Sequence, residues 1–95
     1  MIPRKVKKIV GDGDYAGAFQ CCWNLRSVVF EQGSELTEIG EKAFSECTSL
    51  QDICLPDKLR KIGVLAFSST GLTEVQIPAS VHSIGKLAFD KCNNL

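Results

Sequence analysis

Five cysteines and one histidine are the residues of this chain best suited to chemistry: Cys21, Cys22, Cys47, Cys54, Cys92 and His82. Their spacing assembles nothing. No two of the thiols form a Cys-x-x-Cys pair, and a single histidine cannot complete a Cys/His zinc set. An odd number of thiols leaves at least one outside any intramolecular bridge. His82 lies in Val81-His82-Ser83-Ile84, between two inward apolar residues, and reads as a surface side chain. A general base needs a positioned partner, and the spacing supplies none. The stretch Gly11-Asp12-Gly13-Asp14 has the look of a calcium loop. It lacks the further oxygen ligands and the terminal Glu of an EF-hand, so it reads as an ordinary loop. No catalytic, cofactor-binding or metal-binding residue is therefore expected, and the chain is not expected to be an enzyme.

Charge and length narrow the field further. The chain has 95 residues, one small domain's worth, and eleven basic side chains balance eleven acidic ones. A net charge of zero argues against a nucleic-acid binder that works by counterion release and against a polybasic membrane-surface domain. Arg4, Lys5, Lys7 and Lys8 form a small basic cluster, read as a solvated face, with an anionic partner as the lesser alternative. No apolar run reaches the roughly 18–20 residues that span a bilayer. No apolar segment of signal-peptide type follows Met1-Ile2-Pro3-Arg4-Lys5. The compartment is left undetermined.

The elements that must position these side chains repeat. Ala-Phe occurs four times, with Phe19, Phe44, Phe67 and Phe89 at intervals of 22 to 25 residues. Ile39-Gly40, Ile62-Gly63 and Ile84-Gly85 precede three of them, each Ile five residues before its Phe. Leu25, Leu50, Leu72 and Leu95 follow, and the first three open alternating runs ending in Val28-x-Phe30, Ile53-x-Leu55 and Val75-x-Ile77. Pro56 and Pro78 close two runs, and Ile2-Pro3 is the tail of an earlier one. A second short run then leads to Ile9, Ile39, Ile62 or Ile84.

The unit is a solenoid coil. Period-two alternation turns Val28/Phe30, Ile53/Leu55 and Val75/Ile77 inward, as in a strand. Proline ends the ladder because it has no N–H to donate. The phenylalanines fill the interior, and neighbouring coils bury what one coil cannot. Phe44 and Phe67 are expected to be buried and stacked. Two inserts interrupt the period, Gly11-Asp12-Gly13-Asp14-Tyr15 and Glu31-Gln32-Gly33-Ser34-Glu35, and the third coil is a residue short at Ser69-Thr70-Gly71. Residues 1–95 form one domain of about four coils.

The pattern resembles the BspA-like leucine-rich repeat family, through its Ala-Phe and Ile-Gly pairs, Leu55-Pro56, Ile77-Pro78, and Cys22, Cys47 and Cys92. The departures are the first-coil insert, the missing proline after Phe30, and Thr70 in the cysteine slot. The resemblance implies a repeat solenoid of short parallel strands with turns and short helical or 3-10 segments. It also implies a non-catalytic scaffold. Family members are often long surface or secreted proteins of bacteria and parasitic protists, some associated with adhesion, which would allow a surface or secreted location for this chain.

Cys22, Cys47 and Cys92 fall three residues after the coil phenylalanine, with Thr70 in the same slot. They read as structural thiols rather than as bridges or metal ligands. Cys54 alternates outward and is the thiol expected to react first, while Cys21 is left open. Outward positions form the candidate contact surface: Ser27, Asp52 and Glu74 in one row, Val29, Cys54 and Gln76 in the next. Trp23 stands at a slot that is Thr48 or Asn93 elsewhere. It either anchors a partner at the margin of the ladder or packs across the Asp14-Tyr15 insert. The expected function is a protein-interaction module with a protein partner, including end-to-end self-association through uncapped coils. The alternative is a structural stretch of a longer array with no binding role of its own.

Overall fold

Each coil contributes short strands because each apolar run is short and bounded by turn residues. The structure, a computed structural model, describes residues 2–9 and 19–95. Six two-residue strands follow in chain order: β1 (Lys8–Ile9), β2 (Ser27–Val28), β3 (Glu38–Ile39), β4 (Asp52–Ile53), β5 (Lys61–Ile62) and β6 (Ser83–Ile84). All pairings are parallel. One sheet has the order β1-β3-β5-β6, the other pairs β2 with β4, and Ile2 bridges Phe30. The isoleucines stand in register, Ile9 beside Ile39, Ile39 beside Ile62 and Ile62 beside Ile84. The second short run of each coil, and not only the first, is thus a strand, and it builds the longer sheet.

The prolines act as turn starters as well as strand stops. The carbonyls of Pro3, Pro56 and Pro78 accept from the N–H groups of Val6, Leu59 and Val81, three residues on. After the second strand the chain makes the Ala-Phe turn. This segment is a run of turns, with no helix among the described residues, so the helical segments implied by the resemblance are absent there.

The core is a column. The rings of Phe19, Phe44, Phe67 and Phe89 stack with centroids 5.2, 5.3 and 5.4 Å apart and planes within 7° of parallel. Parallel strands stand about 4.8 Å apart, so the coil rise sets the ring spacing and makes the stack slightly offset, the geometry aromatic faces favour. Phe44 and Phe67 are fully buried, with Leu36, Ile39, Leu50, Leu59, Ile62 and Leu72 around them. Glycine follows the isoleucine because coils approach closely there. A Cβ on Gly63 would lie 2.7 Å from the Gly40 carbonyl carbon, and one on Gly85 would lie 2.4 Å from the Val64 nitrogen.

The third alternating run departs from expectation. Val75 is half-buried and Ile77 partly exposed, and neither belongs to a strand. Its main chain meets the preceding coil through Thr73 N–H to the Gln51 carbonyl at 3.5 Å. A strand there would set Glu74 directly beside Asp52, and like charges opposed across a ladder are destabilising. Ser27 opposite Asp52 has no such conflict, and that pair is formed.

Candidate interaction surface

The alternation that buries Val28 and Ile53 leaves Ser27 and Asp52 exposed and in register on the outer face of β2 and β4. Val29 and Cys54 are exposed one step further along. Glu74 and Gln76 are exposed as well. They lie off the ladder but border the same surface: a shallow groove of about 400 Å³ is lined by Asp52, Cys54, Asp57, Glu74 and Gln76. A second groove, lined by Ser27, Val29, Glu31 and Lys58 among others, meets the first at Asp52, Cys54 and Asp57. The six outward residues singled out by alternation therefore share one continuous surface. Trp23 is 64% exposed. The Asp14-Tyr15 insert lies outside the described residues, as does Gly11-Asp12-Gly13-Asp14 with its calcium-loop reading.

Net neutrality conceals a separation of charge. The two grooves carry Glu31, Asp52, Asp57 and Glu74 against Lys58. Outward positions of the four-stranded sheet are Lys8, Glu38, Lys61 and Ser83. Within the basic cluster, Arg4 faces Glu31 and Lys8 faces Glu38, each at 3.8 Å. The Arg4 N–H also donates to the Glu31 carboxylate at 2.8 Å, tying the second insert to the first coil. These pairs are largely solvated, and exposed ion pairs contribute about 0–1 kcal/mol.

All five thiols are free. Cys47 is buried, Cys22, Cys92 and Cys21 are half-buried, and Cys54 is exposed. Burial pushes the Cys47 thiol up to about 11. The Cys21 thiol is also raised, chiefly because it donates to the Glu46 carboxylate at 3.0 Å. Neither shift prepares a nucleophile, which would need the thiolate favoured. His82 is exposed, and its main-chain N–H donates to the Arg60 carbonyl just before β5 and β6. Among the described residues no three His, Cys, Asp or Glu side chains converge as metal ligands.

A feature that residue type could not reveal is the backbone of the Ala-Phe turn. Lys42, Leu65 and Leu87, two residues before a coil phenylalanine, have φ of 56–59°. Cys21, Glu46, Ser69 and Lys91, two residues after one, have φ of 58–61°. These left-handed positions carry no glycine, so composition gave no signal of them. Only the fixed offset from phenylalanine marks them.

Parallel two-residue strands, the in-register isoleucines and the phenylalanine column agree with the comparison to known proteins. A family model for the BspA type leucine rich repeat region matches residues 2–95 in six copies. The chain belongs to the BspA-type leucine-rich repeat family. It is similar to a solved leucine-rich repeat protein from Bacteroides ovatus ATCC 8483, with 34% identity and a TM-score of 0.76 over 97% of this chain. The match covers 24% of that protein, so the present chain spans about a quarter of its length. No curated protein matches the chain. Leucine-rich repeat folds are typically non-catalytic scaffolds, and family membership suggests a protein-interaction module. No helix among the described residues is long and apolar enough to cross a membrane.

Proposed function

We propose that the chain binds a protein partner through the outward surface of Ser27, Val29, Asp52, Cys54, Glu74 and Gln76, with Trp23 as an anchor at its margin. The observation that carries this reading is the continuity of the two grooves across Asp52 and Cys54. It joins residues from three coils into one face that is apolar at Val29 and acidic at Asp52 and Glu74. Repeat solenoids use such extended faces for contact, and a large exposed aromatic is the residue type most often found as a binding hot spot. An adhesion role is the biological form this activity would take. Affinity capture with the parent and an Asp52→Lys/Glu74→Lys variant tests it. A partner retained by the parent and lost by the variant supports the surface, and equal retention removes it.

A second reading treats the chain as part of a longer array without a binding role of its own. One observation favours it: the chain spans about a quarter of the length of the leucine-rich repeat protein it is similar to.

A further inference from the structure

Opposite charge balances stand on two sides of the coil stack. The second run of each coil sets two residues between two apolar ones: Lys7-Lys8, Thr37-Glu38, Arg60-Lys61 and His82-Ser83. Leu59 and Ile62 are fully buried, while Arg60 and Lys61 between them are exposed. Lys7 and Lys8 are exposed in the same way ahead of buried Ile9. Main-chain bonds hold these pairs in a stack, with the Thr37 N–H donating to the Lys7 carbonyl at 2.8 Å, Arg60 to Thr37 at 2.9 Å and His82 to Arg60 at 3.0 Å. The side of the four-stranded sheet thus carries Lys7, Lys8, Arg60 and Lys61 against Glu38. The grooves carry the reverse, Glu31, Asp52, Asp57 and Glu74 against Lys58. Glu38 is taken by Lys8 and Glu31 by Arg4. Lys7, Arg60 and Lys61 on one side, and Asp52, Asp57 and Glu74 on the other, have no ion-pair partner among the described residues.

We infer that the occupant of the grooves is a second copy of this chain, presenting the basic side of its four-stranded sheet, an inference that rests on the groove reading above and names its partner. Two observations favour a second copy over other cationic partners. The chain itself carries the complement, with three unpaired cations for three unpaired carboxylates. The two sides also share one pitch. β4 and β5 belong to the same coil, so Asp52, Asp57, Arg60 and Lys61 rise together along the stack, at the spacing that sets the phenylalanine rings 5.2–5.4 Å apart. Two copies lying side by side with their coils in step keep basic and acidic rows matched from coil to coil. A partner without this repeat has no such match. Val29, 58% exposed beside the acidic rim, offers apolar surface that the stems of arginine and lysine can cover.

The contact is head-to-tail in kind. Groove against groove would oppose carboxylates, and sheet against sheet would oppose cations, so each copy must use one side of each type. Such an interface leaves a free side at each step, and assembly passes beyond two copies unless a ring closes. Exposed ion pairs are individually weak, so the contact depends on several pairs repeated at one pitch and yields to salt. The self-association it describes runs along the flanks of the stack and differs from end-to-end stacking of coils.

Sedimentation equilibrium of the chain alone tests this. At about 10 mM ionic strength, where screening sets in only at ~30 Å, the average mass should rise about twofold or more as the chain is concentrated. At about 1 M, where that length is ~3 Å, it should return to the monomer value. Asp52→Lys/Glu74→Lys and Lys7→Glu/Arg60→Glu should each stay monomeric at low salt, because each has lost one side. An equimolar mixture of the two should form 1:1 pairs through the sides left intact. The Lys7 and Arg60 reversals flank Thr37 and avoid Glu38, and thermal melts check each fold, with Lys7→Gln/Arg60→Gln in reserve. A parent that stays monomeric at every concentration, as it would if an unrelated cationic protein fills the grooves, overturns the inference. So does association that persists at high salt, a single variant that associates like the parent, or a mixture that stays monomeric. A captured partner lost by Asp52→Lys/Glu74→Lys, with no self-association of the parent, would leave the groove reading standing and remove this one.

Discussion

The Cys47 thiol donates to the main-chain carbonyl of Phe19, one coil upstream, at 3.0 Å. Cys92 does the same to Phe67 at 3.0 Å. The Phe19 carbonyl also accepts the Cys22 N–H of its own coil, so the thiol fills its second lone pair. In the same slot Thr70 makes a different contact, its Oγ1 lying 3.2 Å from Cys92 Sγ one coil downstream. Cys47→Thr should change stability by less than about 1 kcal/mol, whereas Cys47→Val, similar in size but without a donor, should cost about 0.5–1.5 kcal/mol, because the Phe19 carbonyl loses one of its two donors and keeps the Cys22 N–H. Urea denaturation of the two variants makes the comparison.

The same thiol sets an alkaline limit. Its folded pKa of about 11 lies above the ordinary thiol value, so the native state holds the proton longer than the unfolded chain does. The stability this contributes is fully present below the unfolded value, about 8.5. It is lost as pH rises from there through 11. The unfolding midpoint should fall between pH 9 and 11 in the parent and fall less in Cys47→Thr. Native thiol labelling at neutral pH should modify Cys54 first and Cys47 only on unfolding, and rapid labelling of Cys47 would contradict its placement.

Column and surface differ sharply in cost. Phe44→Ala and Phe67→Ala each empty a fully buried site and should cost about 3–5 kcal/mol. At about 4–8 °C per kcal/mol for a domain of this size, the thermal midpoint should drop by more than 10 °C or the cooperative transition should vanish. Phe89, capped on one side only, should cost less when truncated. Equal melting of Phe67→Ala and the parent would refute the coil assignment.

Backbone rules give a paired test. Gly85→Ala places a Cβ against backbone atoms that cannot rotate away, and overpacking of this kind costs about 1–3 kcal/mol. At Lys42, where φ is 56°, Lys42→Asn should be within about 0.5 kcal/mol of the parent, since asparagine tolerates the left-handed region. Lys42→Val should be clearly destabilising, because a β-branched residue there is an outlier. A stable Lys42→Val protein would show that the turn conformation is not required.

What was legible in the sequence follows from how each feature is encoded. The column was readable because phenylalanine recurs in phase over four copies, and Ile-Gly was readable because close approach admits one residue type. Cys54 could be placed outward by alternation alone. The four-stranded sheet was missed because its runs space their apolar residues three apart, as in Leu36-x-x-Ile39 and Leu59-x-x-Ile62, which is not the strand period. The third rung at Glu74 was expected in a strand because alternation ignores the charge already on Asp52. The left-handed positions were invisible because Lys42, Glu46 and Leu65 share no residue type. The position of Trp23 on the surface is now defined, but alternation gave no register for it, since it lies in a turn.

The groove surface is the central claim, and a titration tests it most directly. A partner isolated with the parent chain is titrated at two ionic strengths against two triple variants: Val29→Ala/Asp52→Lys/Glu74→Lys, and Arg4→Ala/Lys5→Ala/Lys8→Ala. Exposed substitutions usually stay within about 0.5 kcal/mol in stability, so both should fold like the parent. The account predicts at least a tenfold loss of affinity for the first variant and a smaller loss for the second. Unchanged affinity of the first, or a larger loss in the second with strong salt dependence, would contradict it and move the contact to the N-terminal basic cluster.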